Sequence, residues 1–220
     1  MLAVPGLVPG FFLPASVTSF VLPMIIPETL IEQYGGKKIS FGKGQPIVDQ
    51  GSEALHYYQV KSGEVKMVNY SPEGQEFIQG LFAEGESFGE PALFGEFPYP
   101  ASAIASTDCE VYKLTRHHFF DLLEKNFDIH RKFNYLLSQR LQYKGMLLNE
   151  ISSHPPEHRI MTLLGFLKTK LTSNGEQFEV PYTRQQLADM TGLRVETVIR
   201  AIKKMEGEGH LQVRNHKIVI

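Results

Sequence analysis

The chain has 220 residues, 42% hydrophobic and 21% charged, with a formal charge of −2, values that describe a folded soluble protein and exclude one dominated by disorder. The total hides a split: residues 151–220 carry ten Lys and Arg against seven Asp and Glu, and residues 1–150 carry twelve against seventeen, so a mildly basic module follows an acidic one. The single cysteine, Cys109, excludes an intramolecular disulfide, a CxxC redox pair and an iron–sulfur cluster held by one chain, and it points to the cytoplasm.

Residues 1–27 are apolar, lack Lys and Arg, and are interrupted by Pro5, Pro9, Pro14, Pro23 and Pro27. A secretory leader needs a basic start, and a membrane helix does not tolerate prolines at that density. The stretch is expected to be an extended arm that covers or fills a pocket of the domain behind it. From Ile39 to Leu114 short alternating segments are separated by glycines, with no segment of helical period between them, which predicts an all-β sandwich or barrel over residues 28–116. "HYYQVKSGEVKMVNY" reads as two strands joined at Ser62-Gly63, and "SPEGQE" as the turn after them.

After Arg116 the period changes to 3.6, and residues 117–153 run without proline, predicting a short helix and then a long one. Leu137, Leu141, Lys144, Leu148 and Ile151 fall at steps of four, three, four and three, the spacing of a coiled-coil seam between two copies of the chain. A second stripe, Phe133, Leu136, Tyr143 and Leu147, is expected to pack on the β domain. The prolines of "SSHPPEHR" break the long helix, with Pro156 at the first position of the next.

Within the domain 154–220, that helix is expected to run to about Leu171, followed by the turn "TSNGEQ" and a short strand near "FEVPY"; residues 182–220 then parse as helix, turn, helix and hairpin, a winged helix-turn-helix. Thr183 and Gln186 form a capping box, Thr191-Gly192-Leu193 the turn, and Asn215-His216 the hairpin tip. With Val198, Ile202 and Met205 facing inward, the start of the second helix presents Val195, Glu196, Ile199 and Arg200 to the major groove. Arg200 suits the O6 and N7 of guanine, Glu196 suits the N4 amine of cytosine, and Arg200 one turn on is expected to neutralise and orient Glu196. Thr183, Arg184, Gln185, Gln186, Thr197 and Lys203 are expected at phosphates.

The ordered glycines Gly51, Gly63 and Gly74, the block "GESFGEPALF" at 85–94, "RLQ" at 140–142 and "TRQQLADMTGLRVETVIR" at 183–200 together resemble the catabolite-activator and fumarate-nitrate-reduction (Crp/Fnr) family of bacterial transcription regulators, from about Glu28 onward. The resemblance implies an α+β chain: an N-terminal β-roll of the jelly-roll, cyclic-nucleotide-binding-like kind, a long dimerisation helix and a C-terminal winged helix-turn-helix. It implies a homodimeric regulator on double-stranded DNA, contact with RNA polymerase, and a small-molecule effector site. Glu196 and Arg200 fall on the family's base-reading positions. Val195, where the cyclic-AMP-responsive members have arginine, implies TTGA-like half-sites in an inverted repeat.

The effector site implied by the resemblance runs through Phe88, Gly89, Glu90, Pro91 and Ala92, and through Pro100, Ala101 and Ser102, with Lys144 above it. Gly89-Glu90 matches the start of the nucleotide cassette. Its phosphate-binding arginine and serine fall on Pro100 and Ala101, and proline supplies neither charge nor N–H. Without that cation Glu90 is expected to repel a phosphate. The adenine-facing positions fall on Lys144 and Gly145, so cyclic AMP is not the expected effector.

No cofactor is expected. His56, His117 and His118 lack matching ligands at metal spacing, and Cys109 reads as a buried small hydrophobe. No nucleophile–base set points to an enzyme. The competing reading is a sensory module that regulates a protein partner without DNA; it does not call for Glu196 and Arg200.

Overall fold

The computed structural model describes residues 24–172 and 177–220, so most of the arm, and the middle of the turn after Leu171, lie outside the described residues. The chain divides into two compact units that part between Leu148 and Asn149, inside the long helix and ahead of the proline pair.

In the first unit, helix α1 (Glu28–Gln33) precedes strands β1 (Lys37–Phe41), β2 (Pro46–Val48), β3 (His56–Ser62), β4 (Val65–Tyr70), β5 (Glu76–Phe82) and β6 (Ser87–Phe88). Helix α2 (Glu90–Gly95), β7 (Ser102–Ala105), β8 (Cys109–Thr115), α3 (Arg116–Lys125) and α4 (Phe127–Ser153) follow. Two antiparallel four-stranded sheets form, in the orders β1-β8-β3-β6 and β2-β7-β4-β5. The strands on either side of Ser62-Gly63 therefore do not pair with each other: β3 belongs to one sheet and β4 to the other. Gly63 makes the crossing, at φ +80°, where a Cβ would collide with the Asp108 carbonyl and with Cys109. The expectation of a β region free of helix is corrected by α2, a short helix made by "EPALFG" because Gly89, left-handed at φ 83°, turns the chain at its start and a proline occupies its first turn.

Both sheets feed one core, in which Val60 and Val111 of the first meet Val65 and Ala103 of the second. Strand β3 is buried on both faces at Tyr57, Tyr58, Gln59 and Val60, so it lacks the alternation of a half-solvated strand. Its outer side is sealed by rings: Tyr57 stacks on Phe119 of α3 at 4.7 Å, and Phe133 of α4 meets both edge-on. Removing the Phe133 ring by Phe133→Ala should cost about 3–5 kcal/mol. Chemical denaturation would measure it, and a loss under about 1 kcal/mol would mean that the aromatic cluster does not anchor α4.

The described end of the arm packs into the core. Ile25 and Ile26 are buried, and Gln59 clips the Ile26 backbone in both directions, its Oε1 accepting from the Ile26 amide at 3.3 Å and its Nε2 donating to the Ile26 carbonyl at 3.0 Å. Glu28 then pairs with Lys61 and accepts from the Tyr112 hydroxyl; the Lys61 hydrogen bond holds its carboxyl below the usual range. Cys109 is buried, and burial, with Asp108 beside it, pushes its thiol pKa up, the reverse of what a reactive thiolate needs.

The second unit contains the end of α4, then α5 (Pro156–Leu171), α6 (Arg184–Thr191), α7 (Val195–Gly207), β9 (Gln212–Arg214) and β10 (Lys217–Val219). Pro156 opens α5 as its position predicts. The segment near "FEVPY" joins the wing: Phe178 exchanges backbone bonds with Ile220, and the Val180 amide donates to the Ile218 carbonyl at 2.8 Å.

Candidate functional site

The helix pair α6–α7 is set by local chemistry. Thr183 accepts from the Gln186 amide at 3.2 Å, while the Gln186 side chain accepts from the Thr183 amide at 2.9 Å. Gly192 ends α6 in the left-handed region, at φ 66°. Helix α7 then buries Val198, Ala201, Ile202 and Met205 and leaves Glu196, Ile199, Arg200 and Lys203 exposed. Ile199, 51% exposed between Glu196 and Arg200, leaves an apolar side chain on this face, the kind of group that can contact a thymine methyl. Val195 is half-buried at the first position of α7.

Two sequence expectations change. Glu196 and Arg200 form no ion pair or hydrogen bond among the described residues, so the arginine does not neutralise or orient the carboxylate in the free chain. Both groups keep their full hydrogen-bonding capacity at the exposed face. Of the phosphate set, Thr183 and Gln186 are engaged in the cap, and Gln185 donates to Asp189 at 2.8 Å; Arg184, Thr197 and Lys203 complete it. The wing adds basic residues that the sequence reading passed over. Asn215 and His216 have φ 47° and 64° in the two-residue turn, and Arg214 and Lys217 face each other beside it. A two-residue turn between basic residues was the available signal.

In the β-roll the structure brings Phe88, Gly89, Glu90 and Ala92 together in the buried region, with Pro91 and Pro100 exposed and Ala101 buried. Gly89 leaves no room for a side chain, since a Cβ would lie 2.9 Å from the Tyr99 ring. Glu90 is fully buried and ion-paired: Arg140 of α4 donates from Nη1 to Glu90 Oε2 at 2.9 Å and from Nη2 to the Ser87 carbonyl at 2.6 Å, its guanidinium 5.1 Å from the Phe82 ring. This corrects the expectation of an uncompensated carboxylate, for the missing cation arrives from the long helix. The "RLQ" segment carried the residue but not its partner, fifty positions away.

The cassette's other end is also occupied by the protein. Asn69 donates to the Pro100 carbonyl at 2.8 Å, Gln79 donates to Asn69, and Lys144 reaches Gln79 Oε1 at 3.1 Å. Ser102 Oγ accepts from the Gln50 amide at 3.0 Å. Lys144, placed by its spacing in the coiled-coil seam, is turned to β5. Its seam neighbours are uncovered, with Leu141 74% and Leu148 68% exposed, and Leu137 and Ile151 half-buried. Of the second stripe, Phe133 and Leu136 are buried, and Tyr143 and Leu147 half-buried.

The geometry agrees with what the chain is similar to. Residues 38–126 match the cyclic nucleotide-binding domain, and residues 158–220 the Crp-like helix-turn-helix domain. The cyclic AMP receptor protein of Thermus thermophilus is 30% identical over 169 residues, 77% of this chain and 76% of that one. The chain belongs to the Crp/Fnr family. This Crp/Fnr protein is also 24% identical over 211 residues, 93% of its length, to the fumarate and nitrate reduction regulatory protein of Salmonella typhi, covering 84% of it. In fold it is similar to the c-di-GMP responsive global regulator CLP of Xanthomonas campestris, with a TM-score of 0.73 and 22% identity over 88% of this chain and 99% of that one. A structure of the Thermus thermophilus catabolite activator protein gives 0.52 and 28%, covering 86% and 87%. The Crp/Fnr protein is thus a DNA-binding transcription regulator, and the reading without DNA is not favoured. Among the described residues no helix is long and apolar enough to cross a membrane.

Proposed function

We propose that the protein acts as a cytoplasmic, non-enzymatic homodimer that reads an inverted repeat of TTGA-like half-sites about one helical turn apart, contacts RNA polymerase, and does not use cyclic AMP as its effector. The base-reading assignment is carried by Glu196 and Arg200, exposed and unpaired among the described residues, flanking Ile199 on α7 and backed by a buried opposite face. The dimer assignment rests on Leu141 and Leu148, two large apolar side chains left uncovered on one stripe of α4.

The effector assignment rests on how the β-roll satisfies itself. The carboxylate at the start of the cassette is neutralised by Arg140, and the phosphate end presents the imide nitrogen of Pro100, whose carbonyl already accepts from Asn69. A phosphate there would gain neither a charge nor an N–H. Two neighbouring atoms, Ser87 Oγ and Glu90 Oε1, are buried without a partner among the described residues, so an effector that reached them would offer a hydroxyl or N–H donor and no anion beside Pro100. The ligands named for relatives differ, cyclic AMP for the Thermus thermophilus protein and c-di-GMP for the Xanthomonas campestris one, so likeness alone does not choose between them. Calorimetric titration of cyclic AMP into the purified protein should give no saturable heat and no change in operator affinity. Micromolar binding that tightens DNA binding would overturn this assignment.

A further inference from the structure

Where α4 gives way to α5, the chain gathers three side chains that the DNA-binding reading does not use. Glu150 lies in the last turn of α4, His154 just past its end, and His158 in the first turn of α5, across Pro155-Pro156. Their ligand-type atoms all lie within 4.8 Å of one another, and among the described residues this is the one group of three His, Cys, Asp or Glu side chains so arranged. Glu150 Oε2 is 2.6 Å from His158 Nδ1 and 3.8 Å from His154 Nδ1, and the two imidazole rings are stacked at 4.2 Å.

Burial makes this more than a chance surface cluster. Glu150 is 1% exposed, and among the described residues neither its Oε1 nor the buried Nδ1 of His154 has a hydrogen-bond partner. A buried carboxylate oxygen and a buried imidazole nitrogen left without partners cost free energy unless something satisfies them. The backbone that carries them is fixed from outside the cluster, because Arg159 donates to the His154 carbonyl at 2.9 Å and to the Ile151 carbonyl at 2.7 Å.

We propose that this corner binds one divalent transition-metal ion per chain through Glu150, His154 and His158. Two imidazoles and a carboxylate are a borderline-soft donor set that suits zinc and its neighbours better than calcium or magnesium. Bonds of about 2.0–2.1 Å in a tetrahedral site put ligand atoms roughly 3.3 Å apart. The His158–Glu150 hydrogen bond therefore opens by less than about 1 Å when the ion enters, and the unpartnered Oε1 is the alternative donor. A solvent molecule completes four-coordination. The ion ties the last turn of α4 to the first turn of α5, fixing the angle of the corner that leads into the DNA-binding module.

The test uses the full-length, tag-free protein and cobalt(II) as a spectroscopic stand-in for zinc. We expect saturation at one equivalent per chain, with the intense visible bands of four-coordinate cobalt, and their loss when zinc is added. Glu150→Gln and His154→Gln should each weaken binding at least about tenfold, in line with loss of one ligand, whereas a His117→Gln, His118→Gln double variant should bind as the wild type does. Should either ligand variant fail to fold, the wild-type spectrum still decides. Wild-type protein that gives only the weak bands of hydrated cobalt, or folded ligand variants that bind as tightly as wild type, would show the cluster to be a hydrogen-bonded corner and no metal site.

Discussion

Leu141→Lys should dissolve the dimer and abolish operator binding with it. Leu141 is a large apolar side chain left almost bare on α4, and Leu148 continues the same stripe two turns on. Burying a leucine is worth about 1.5–3 kcal/mol, and a symmetric dimer loses two. The dimer dissociation constant should rise by roughly 10²–10⁴ at 1.4 kcal/mol per decade, before repulsion between two facing lysines is added. A monomer offers the DNA one recognition helix instead of two, so operator affinity falls with the dimer. Sedimentation at micromolar concentration gives the first effect, and a gel-shift titration the second. A Leu141→Lys protein that stays dimeric would move the seam elsewhere, since the substitution faces solvent in the single chain and leaves the fold intact.

Arg200→Ala should act differently, leaving dimer and fold untouched while relaxing the sequence read at one base pair. A bidentate arginine–guanine contact contributes about 1–3 kcal/mol of discrimination, so the preference for guanine should fall roughly 5- to 150-fold at one position of each half-site. Lys203→Ala, the loss of a phosphate contact, should weaken all sequences alike and flatten the salt dependence by about one unit of slope. Comparing the two at one salt concentration separates base reading from charge. An Arg200→Ala protein with unchanged site preference would remove Arg200 from the base-reading set.

Much of this was legible because it is local. The capping box at Thr183 and Gln186, the left-handed turn at Gly192, the change of period at Arg116 and the tip at Asn215-His216 each lie within a few residues of what they determine. The resemblance carried the β-roll as a class, but not its wiring. That β3 and β4 belong to different sheets depends on which strand each later meets, β8 or β7, and no local pattern encodes that choice. Arg140 reads as a surface residue of a long helix until the fold brings Glu90 to it. The corner at Glu150, His154 and His158 has a regular spacing of four, yet Pro155-Pro156 breaks the helix that would make such a spacing meaningful. Only the geometry of the turn returns the three side chains to one place. The expected Glu196–Arg200 pair failed for the opposite reason: helical spacing permits an ion pair, but two solvated side chains gain only a few tenths of a kcal/mol by forming it.

On the proposed reading, α7 recognises a defined sequence and two copies of it recognise an inverted repeat. The most direct test is selection of bound fragments from a random DNA pool by the purified protein, at fixed salt and without added ligand. Recovery of an inverted TTGA-like repeat with half-sites about one helical turn apart is the predicted result. Enrichment of no motif by a folded dimer, or of one unrelated to TTGA, would contradict it.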